Sequence, residues 1–395
     1  MNIQNLKFYE GADTPNYFHP SVCKWNDDLI MTLQTFDGAG DTYGPVEEAI
    51  SNDNGESWSC AVGIPALETV MLEHGIREGV ADVRPFYHKK TDTVIAIGCN
   101  TFYGKSKQIL DDKNFDRKRY QQHPVYAIKN AAGSWSERKE LSHPFFDSCN
   151  NWRVASAQLT ILSNGDVIIP IYLETGDEIP RYCVCTLLCS YDGNDLRVKE
   201  VGNLVNGTSQ YAIVEPSVTE FREKFYLTLR GHDVNAGYIN LATDGRGFFS
   251  ESTDGLHWGD ISEWQWDDGL PLITSTTQQH WMNLGDKLYL VYTRKDESNL
   301  DVFRWRAPLY MAEFDADNSC LIKATEEVVI PLVRKKGIGY SMGNFHVSNI
   351  SDDRCIVSDA PIWYTIKKGK TEAEDTIADY ESFVAVAIVQ AQNSM

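Results

Sequence analysis

The sequence predicts an all-β fold in which repeated units close into a ring, a six-bladed β-propeller, with seven blades as the alternative. Three observations support this prediction. A polar turn with an aromatic end, residues 51–58 (SNDNGESW), recurs in weaker form along the chain. Strand-like segments of one type recur about 65 positions apart. Apolar segments at the two ends of the chain can pair, which removes an exposed sheet edge.

The turn at residues 51–58 combines residue types with distinct roles. Asp and Ser side chains can hydrogen-bond the backbone two residues on, Gly adopts a positive φ, and Trp provides an apolar anchor. Related turns stand at residues 132–135, 190–196, 252–258 and 312–317. This repetition predicts one turn of the same kind in most of the repeated units.

Six segments have the composition of an innermost strand, and each is followed by a turn and a second apolar strand. The intervals from Pro20 to Pro85 and from His280 to Phe345 are both 65 positions. Propeller repeats usually have about 40–50 residues, so we expect the excess to form loops, where sites are commonly built. The predicted first strands are 17–22, 82–86, 153–159, 214–218, 278–282 and 343–347, and the second strands are 29–33, 93–97, 166–172, 224–229, 287–292 and 354–358.

The ends of the chain provide the closure. Residues 383–389 form an isolated apolar strand, and residues 3–9 can complete the same sheet. We therefore expect one domain, residues 1–395. Helical content is expected to be small, with a turn or two in residues 65–75 and 371–381.

Charge and composition limit the partners. With 36 basic and 56 acidic residues the net charge is −20, which argues against nucleic acid or an anionic membrane as a partner. A local basic pocket on this acidic body remains compatible with an anionic substrate. The first ten residues resemble no secretory signal, and no run of about 18 apolar residues occurs. We expect a cytoplasmic protein, or a periplasmic or secreted one if a leader was removed.

Neither a metal nor a cofactor is predicted. The nine cysteines are scattered, which indicates reduced thiols. Cys183, Cys185 and Cys189 share one strand face, where buried packing is favoured over a metal site. Asp37 and Asp41 share a Gly-rich loop that lacks the spacing of a calcium loop.

One face of the ring is expected to carry the site. In antiparallel blades the start of strand one, the end of strand two and the start of strand three meet at one face. Polar residues at these positions predict a central pocket in which arginines bind a carboxylate and histidines transfer protons. Glu215 and Arg230 stand at one end of a hairpin and should meet. The predicted catalytic residues are His19, His123, Tyr182 and Arg230, and the predicted substrate-binding residues are Arg84, Gln158, Glu215, Gln279, His280, Arg294, Asn344 and His346.

The turn at residues 51–58 fits the pattern Ser-x-Asp-x-Gly-x-x-Trp, and the chain thereby resembles the sialidase-like (Asp-box) β-propellers. Sialidases of this fold carry an early Phe-Arg-Ile-Pro segment whose Arg holds the substrate carboxylate. Residues 18–20 (FHP) stand there without that Arg. The Glu-Pro and later Arg of the sialidase fourth blade are matched by Glu215 and Arg230, and Tyr340 can stand where the sialidase nucleophile stands. An exo-sialidase-like hydrolase is one alternative.

The chain is also similar to propeller enzymes that act on uronate glycans, such as ulvan lyases and rhamnose–glucuronate lyases. This resemblance implies His and Tyr as acid and base and an Arg that neutralises the uronate carboxylate. His123, Tyr182 and Arg230 are the candidates. Related propellers that hydrolyse the rhamnose–glucuronate linkage rely on His, for which His19 and His346 are the candidates.

These observations predict an enzyme that cleaves a glycosidic bond at an anionic, uronate-type sugar, by elimination or by hydrolysis. Its expected partner is an oligosaccharide or polysaccharide that carries a carboxylate. An alternative from another class is a noncatalytic propeller that binds glycan or protein, although histidines clustered at one face favour catalysis.

Overall fold

The computed structural model describes residues 1–11, 14–36, 42–104, 116, 119–174, 182–234, 245–367 and 376–391. Residues 37–41, and with them Asp37 and Asp41, lie outside the described part. Within it the chain is built of antiparallel β-strands, so the predicted all-β class is confirmed. No helix in these residues has the length and apolar character needed to cross a membrane. The 3-10 helices are Pro65–Leu67, Glu73–Gly75, Pro144–Ser148, Glu297–Asn299, Phe303–Trp305 and Lys323–Thr325.

The first three main sheets follow one another along the chain. Sheet I consists of Tyr17–Trp25, Asp28–Phe36, Tyr43–Ser51 and Val62–Gly63. Sheet II consists of Val70–Met71, Arg77–His88, Thr93–Tyr103, Pro124–Lys129 and Lys139–Glu140. Sheet III consists of Asn151–Arg153, Thr160–Ile161, Val167–Glu174, Tyr182–Tyr191, Leu196–Val201 and Val205–Asn206.

Three further main sheets and one small sheet complete the described part. Sheet IV consists of Tyr211–Phe221, Lys224–Asp233, Arg246–Ser252 and Ser262–Glu263. Sheet V consists of His280–Leu284, Lys287–Tyr292, Leu309–Asp315, Cys320–Leu321 and Glu327–Ile330. Sheet VI consists of His346–Ser351, Arg354–Asp359, Val384–Gln390 and Asn2–Phe8, and the small sheet consists of Gly339–Ser341, Ile362–Lys367 and Thr376–Ser382.

Apolar cores lie between successive sheets. The strands are rich in Val, Ile and aromatic residues, which pack well on a pleated surface buried on both faces. One core joins sheets II and III, and corresponding cores join each later pair up to V and VI. Another core joins sheet VI back to sheet I, and a smaller one joins I to II. Each main sheet therefore packs against two neighbours. Cys183, Cys185 and Cys189 lie in the core between II and III.

The two ends of the chain lie side by side in sheet VI. Asn2–Phe8 pairs in antiparallel register with Val384–Gln390, with Asn2 opposite Gln390, and Val384–Gln390 pairs in turn with Arg354–Asp359. Both end strands are displaced by one residue from their predicted positions. The helical turn expected at residues 371–381 is wrong for the described part of that segment. Thr376–Ser382 is a strand and pairs with Ile362–Lys367.

The polar turns of the repeat follow the third strands. Hydrogen bonds between side chains and backbone N–H groups of the same turn hold each of them. Asp53 accepts from the backbone N–H of Ser57 (2.9 Å), and the Ser51 hydroxyl accepts from the N–H of Gly55 (2.8 Å). The turn at residues 252–258 repeats this arrangement, with Asp254 accepting from the N–H groups of Leu256 and His257, both at 2.8 Å. We call this end of the ring the turn rim. The predicted site face is the opposite end.

Candidate active site

Four residues with positive φ build the pocket at the predicted face. His19 (φ 50°), Asp82 (57°) and Glu215 (48°) lie in strands of sheets I, II and IV, and Ser156 (52°) lies between two short strands of sheet III. In sheets I, II and IV the strand register shifts at this place, as in a β-bulge. A non-glycine residue with positive φ is strained, and such strain is often found at functional sites. All four residues line one cavity of about 270 Å³, which we call the axial pocket.

The axial pocket has a polar wall contributed by several sheets. Sheets I and II contribute one side, and sheets III and IV contribute another. Segments that flank sheets V and VI complete it. Its polar lining consists of His19, Tyr43, Asp82, Cys99, Asn100, Thr101, Gln122, Arg153, Ser156, Tyr172, Tyr182, Glu215, Arg230, His232, Arg304, Arg306 and Asn344.

A histidine–carboxylate pair lies on the side of sheets I and II. His19 Nε2 is 2.7 Å from Asp82 Oδ1 and 3.2 Å from the Tyr43 hydroxyl. The His19 side chain is only 3% exposed and that of Asp82 is 17% exposed. An imidazole held by a carboxylate at the edge of a cavity is suited to accept and release a proton. This pair is the first chemical feature of the pocket.

A buried carboxyl group stands behind His19. Asp359 accepts hydrogen bonds from the N–H of Gly343 (3.0 Å) and of Ala360 (2.7 Å) and is fully buried. Burial raises its pKa to about 6, although the two N–H donors and the charge of His19 oppose that change. The carboxyl group of Asp359 is therefore a further ionisable group near the His19–Asp82 pair, and it has no contact with solvent.

Glu215 and Arg230 form an ion pair on the opposite side of the pocket. Arg230 Nη1 is 2.6 Å from Glu215 Oε1, and its Nε donates to the Thr276 hydroxyl at 3.2 Å. Burial, and then the charges of Arg230 and Arg304, lower the pKa of the neighbouring His232 to about 4. His232 is therefore a neutral hydrogen-bonding group at neutral pH.

Two tyrosines and a further arginine line the sheet III side. The guanidinium carbon of Arg153 is 5.7 Å from the centre of the Tyr172 ring, within the range of a cation–π contact. Tyr182 contacts Tyr172 edge-on, with ring centres 6.2 Å apart. Burial raises the pKa of Tyr172, and the Glu215 carboxylate adds to this effect while Arg153 opposes it. The Tyr172 hydroxyl is thus protonated near neutral pH and available as a proton donor.

The pocket is basic although the chain is strongly acidic. Its lining contains four arginines, Arg153, Arg230, Arg304 and Arg306, against two carboxylates, Asp82 and Glu215. The chain as a whole has a net charge of −20. Guanidinium groups bind carboxylates through paired, charge-assisted hydrogen bonds. The arrangement can therefore hold a carboxylate beside the His19–Asp82 pair.

Five of the predicted site residues meet in the axial pocket. They are His19, Tyr182, Glu215, Arg230 and Asn344. The expected contact between Glu215 and Arg230 is present.

Two other predicted residues, Arg84 and Gln158, lie at the centre of the ring, outside the axial pocket. Arg84 is 3% exposed and donates to the backbone carbonyls of Ala157 (3.0 Å) and Val347 (2.8 Å). It follows the bulge at Asp82, so it points away from the axial pocket and lines a cavity at the other mouth of the ring. Gln158 also lines that cavity, and both donates to and accepts from the Trp281 backbone, each at 2.8 Å. The prediction that Arg84 and Gln158 lie in this pocket is wrong.

Three more predicted residues are buried beneath the pocket. Gln279 accepts from the Thr228 hydroxyl (2.6 Å) and from the Trp264 indole N–H (2.9 Å). His280 contacts the Ser217 hydroxyl (2.8 Å). The His346 ring is 5.8 Å from that of His19 and 5.4 Å from that of His280, and burial together with Arg84 lowers its pKa and that of His280. None of Gln279, His280 or His346 lines the axial pocket, because tertiary packing directs them into the core.

The remaining three candidates also lie outside the axial pocket. Arg294 forms ion pairs with Glu326 (2.8 Å) and Asp296 (2.8 Å), and none of these three residues lines the axial pocket. His123 lines a neighbouring cavity instead. Tyr340, considered as a nucleophile, packs against Trp363 in the core between sheets V and VI.

Residues that were not predicted complete the pocket. They include Asp82, Arg153, Tyr43, His232 and Arg304. For Asp82 the missing information was the bulge with positive φ, because it adds one residue to the strand and changes which side chain faces the pocket. The other four come from other elements, and tertiary packing brings them to the pocket. The only trace in the sequence is that His19 and Glu215 each precede a proline at corresponding places.

Comparisons with known proteins establish the fold. No protein-family model and no curated protein sequence matches this chain. Among solved structures, Trypanosoma rangeli sialidase matches 98% of this chain and 59% of its own, at 12% identity and a TM-score of 0.57. A Hadza microbial sialidase matches 95% of this chain and 66% of its own, at 12% identity and a TM-score of 0.63. The chain thus has the fold of sialidase-type β-propellers, as predicted, and spans less than two thirds of these chains.

Proposed function

We propose that the axial pocket cleaves a glycosidic bond at a sugar that carries a carboxylate. The observation that carries this proposal is the meeting of four arginines and the His19–Asp82 pair in one cavity of about 270 Å³. Ligand pockets usually measure about 300–1,000 Å³, so this size suits a single sugar ring. The resemblance to propellers that act on anionic glycans supports the same substrate class.

The charge distribution supports the following roles. Arg153 and Arg230 face the carboxylate, and Glu215 fixes Arg230 through their 2.6 Å contact. His19, oriented by Asp82, transfers a proton at the bond that breaks. Tyr172 and Tyr182 are the second proton-transfer candidates, on the other side of the cavity. Proton-transfer groups that flank the breaking bond can serve either elimination or hydrolysis.

Elimination from a uronate uses these groups directly. The proton next to the carboxylate is acidic only when the carboxylate charge is neutralised, which is the role of the arginines. One group removes that proton and another protonates the leaving oxygen. Tyr182 retains its predicted role in this scheme, and His19 takes the role first assigned to His123.

Hydrolysis of a sialoside is the second candidate. The observation that favours it is that Tyr172, Glu215 and Arg153 line the same pocket, so a carboxylate there can accept the proton of a phenol that attacks as a nucleophile. A neighbour in fold, Trypanosoma rangeli sialidase, has been solved in complex with sialic acid. Sialic acid also carries a carboxylate, so the arginines fit both substrates.

A substrate panel tests the proposal. The protein is incubated with rhamnose–glucuronate, ulvan-type and sialyl oligosaccharides while ultraviolet absorbance and released sugar are followed together. Rising absorbance reports an unsaturated uronate and identifies elimination. Sugar release without it identifies hydrolysis, and the substrate that reacts distinguishes uronate from sialate. Binding without turnover of any glycan would favour the noncatalytic propeller.

A further inference from the structure

The cavity at the other mouth of the ring measures about 850 Å³, and we call it the distal cavity. The first strands of sheets I and IV line both cavities. His19 and Glu215 lie at the axial pocket, and later residues of the same two strands, such as Val22 and Val218, lie at the distal cavity. The function proposed for the axial pocket does not use the distal cavity.

A buried arginine lines the distal cavity. Arg84 is 3% exposed and donates to the backbone carbonyls of Ala157 (3.0 Å) and Val347 (2.8 Å). Longer contacts join it to the Ser21 hydroxyl (3.4 Å) and to Nδ1 of His280 (3.5 Å). A guanidinium has five N–H donors, so at least one N–H of Arg84 has no acceptor in the described part of the chain.

The charge of Arg84 has no counter-charge within the described residues. The acceptors around it are two carbonyls, a hydroxyl and the imidazole of His280, whose pKa is lowered by burial and by Arg84 itself. Burial lowers the pKa of Arg84 to about 9, and no nearby carboxylate opposes this change. Since a buried charge is costly unless it is paired, an anion in the distal cavity would stabilise this arginine.

Two buried hydroxyl groups of the distal cavity can also donate. Ser348 follows Val347, whose carbonyl accepts from Arg84, and the Ser348 hydroxyl has no hydrogen-bond partner among the described residues. The Thr219 hydroxyl accepts from Asn283 at 2.7 Å, so its own hydrogen remains available. Ser348 is 7% exposed and Thr219 is 4% exposed, and both line the cavity.

The charge of the lining favours a small anion. At the exposed mouth, two lysines and two carboxylates balance one another: Lys24, Lys89, Asp27 and Glu220. Arg84 adds one positive charge at the buried end, where the described lining contains no carboxylate. Guanidinium and hydroxyl donors match the oxygen atoms of a carboxylate or of a phosphate.

We propose that the distal cavity binds a small oxyanion, a carboxylate or a phosphate, through Arg84, Ser348 and Thr219. Arg84 supplies the positive charge, and the two hydroxyls donate to the oxygens of the anion. Buried imidazoles separate this site from the axial pocket. The ring of His346 lies 5.8 Å from that of His19 and 5.4 Å from that of His280, which contacts Arg84. This proposal does not depend on the function of the axial pocket.

Isothermal titration calorimetry of the full-length protein with sodium phosphate and with sodium acetate tests this proposal. Ser348→Ala and Thr219→Val each remove one donor without changing the charge, and each should raise the Kd of the anion about tenfold. Arg84→Lys keeps the charge but loses the planar set of donors, and it should raise the Kd at least as much. Ser382→Ala is the matched control, because Ser382 is 3% exposed, has an unpartnered hydroxyl within the described part, and lines neither cavity.

Binding in the axial pocket is distinguished by Arg230→Ala, which should leave the Kd of the distal site unchanged. The anion that binds more tightly, phosphate or acetate, identifies the natural class, and either result supports the site. No binding of either anion by the wild type would overturn the proposal. It would also be overturned if Arg230→Ala abolished all binding while the Ser348 and Thr219 variants kept it. An effect of Ser382→Ala as large as that of Ser348→Ala would contradict it as well, because the loss would not be specific to the cavity.

Discussion

The two ends of the ring are built in contrasting ways. At the turn rim, Asp53 is satisfied by Ser51 and Ser57, both within four positions along the chain. At the axial pocket, His19 meets Asp82 across two sheets, and Arg230 contacts Thr276 between sheets IV and V. The turn rim therefore depends on short-range sequence, and the pocket depends on how the sheets are arranged. Changes at the turn rim should affect stability, and changes at the pocket should affect chemistry.

The largest expected effect comes from Arg230→Ala. This variant removes the guanidinium that we propose binds the substrate carboxylate, and it removes the ion-pair partner of Glu215, so turnover should fall by about 10²–10³. Arg294→Ala is the matched control, because Arg294 makes comparable ion pairs away from the pocket. Steady-state kinetics on the reactive glycan compare the two variants. Similar turnover by both would remove Arg230 from the site.

Asp82→Asn should have the next largest effect. The imidazole of His19 loses its charged partner at 2.7 Å, and kcat should fall by about 10². The turn rim offers a matching pair, His257 and Asp254, with Nδ1 and Oδ2 2.8 Å apart. Asp254→Asn should keep wild-type kcat within about twofold. Equal losses in kcat for both variants would contradict the assignment of catalysis to the axial pocket and of stability to the turn rim.

Asp359→Asn should change how the stability of the protein depends on pH. The folded-state pKa of Asp359 is raised from 3.8 to about 6, so ionisation destabilises the folded protein increasingly as pH rises through this interval. The difference in free energy of unfolding between the variant and the wild type should therefore depend on pH. From pH 4 to above pH 6 it should change by on the order of 2–3 kcal/mol in favour of the variant. Denaturant unfolding of both proteins between pH 4 and 7 measures this. A constant difference would show that Asp359 ionises normally.

Asp53→Asn should give the smallest effect. It should lower the stability of the folded protein, whereas Asp359→Asn should raise it at neutral pH relative to pH 4. Hydrogen bonds from Ser57 and Ser51 lower the pKa of Asp53 from 3.8 to about 2. Its charge therefore stabilises the folded state above pH 4, and that contribution is lost as pH falls through about 2. The variant should have a lower denaturation midpoint than the wild type at pH 7, and the gap should narrow towards pH 2. Catalysis by the folded variant should be unaffected. An inactive but fully stable variant would instead place the site at the turn rim.

The sequence predicted the features that repeat locally. The turns at Asp53 and Asp254, most of the sheet strands and the contact between Glu215 and Arg230 depend on short spacings or on strand periodicity. The first strand predicted at 153–159 is wrong, because sheet III has two short strands there, Asn151–Arg153 and Thr160–Ile161. Arg84 shows the limit of this approach. Its position at the start of the predicted strand 82–86 placed it at the site, whereas the strand begins at Arg77, and the bulge at Asp82 directs Arg84 into the centre of the ring. Which side chain faces the pocket is decided by backbone strain that no periodic pattern records.

The pairing of the two end strands has a mechanical consequence. Because Asn2–Phe8 and Val384–Gln390 are antiparallel neighbours, the first and last described pairs of the seam are Asn2 with Gln390 and Phe8 with Val384. A force that pulls the two chain ends apart acts on Asn2 and Gln390 first. It breaks the residue pairs between the two end strands one after another and does not load all of them together in shear. The seam should therefore open at low force and before the other sheets are loaded.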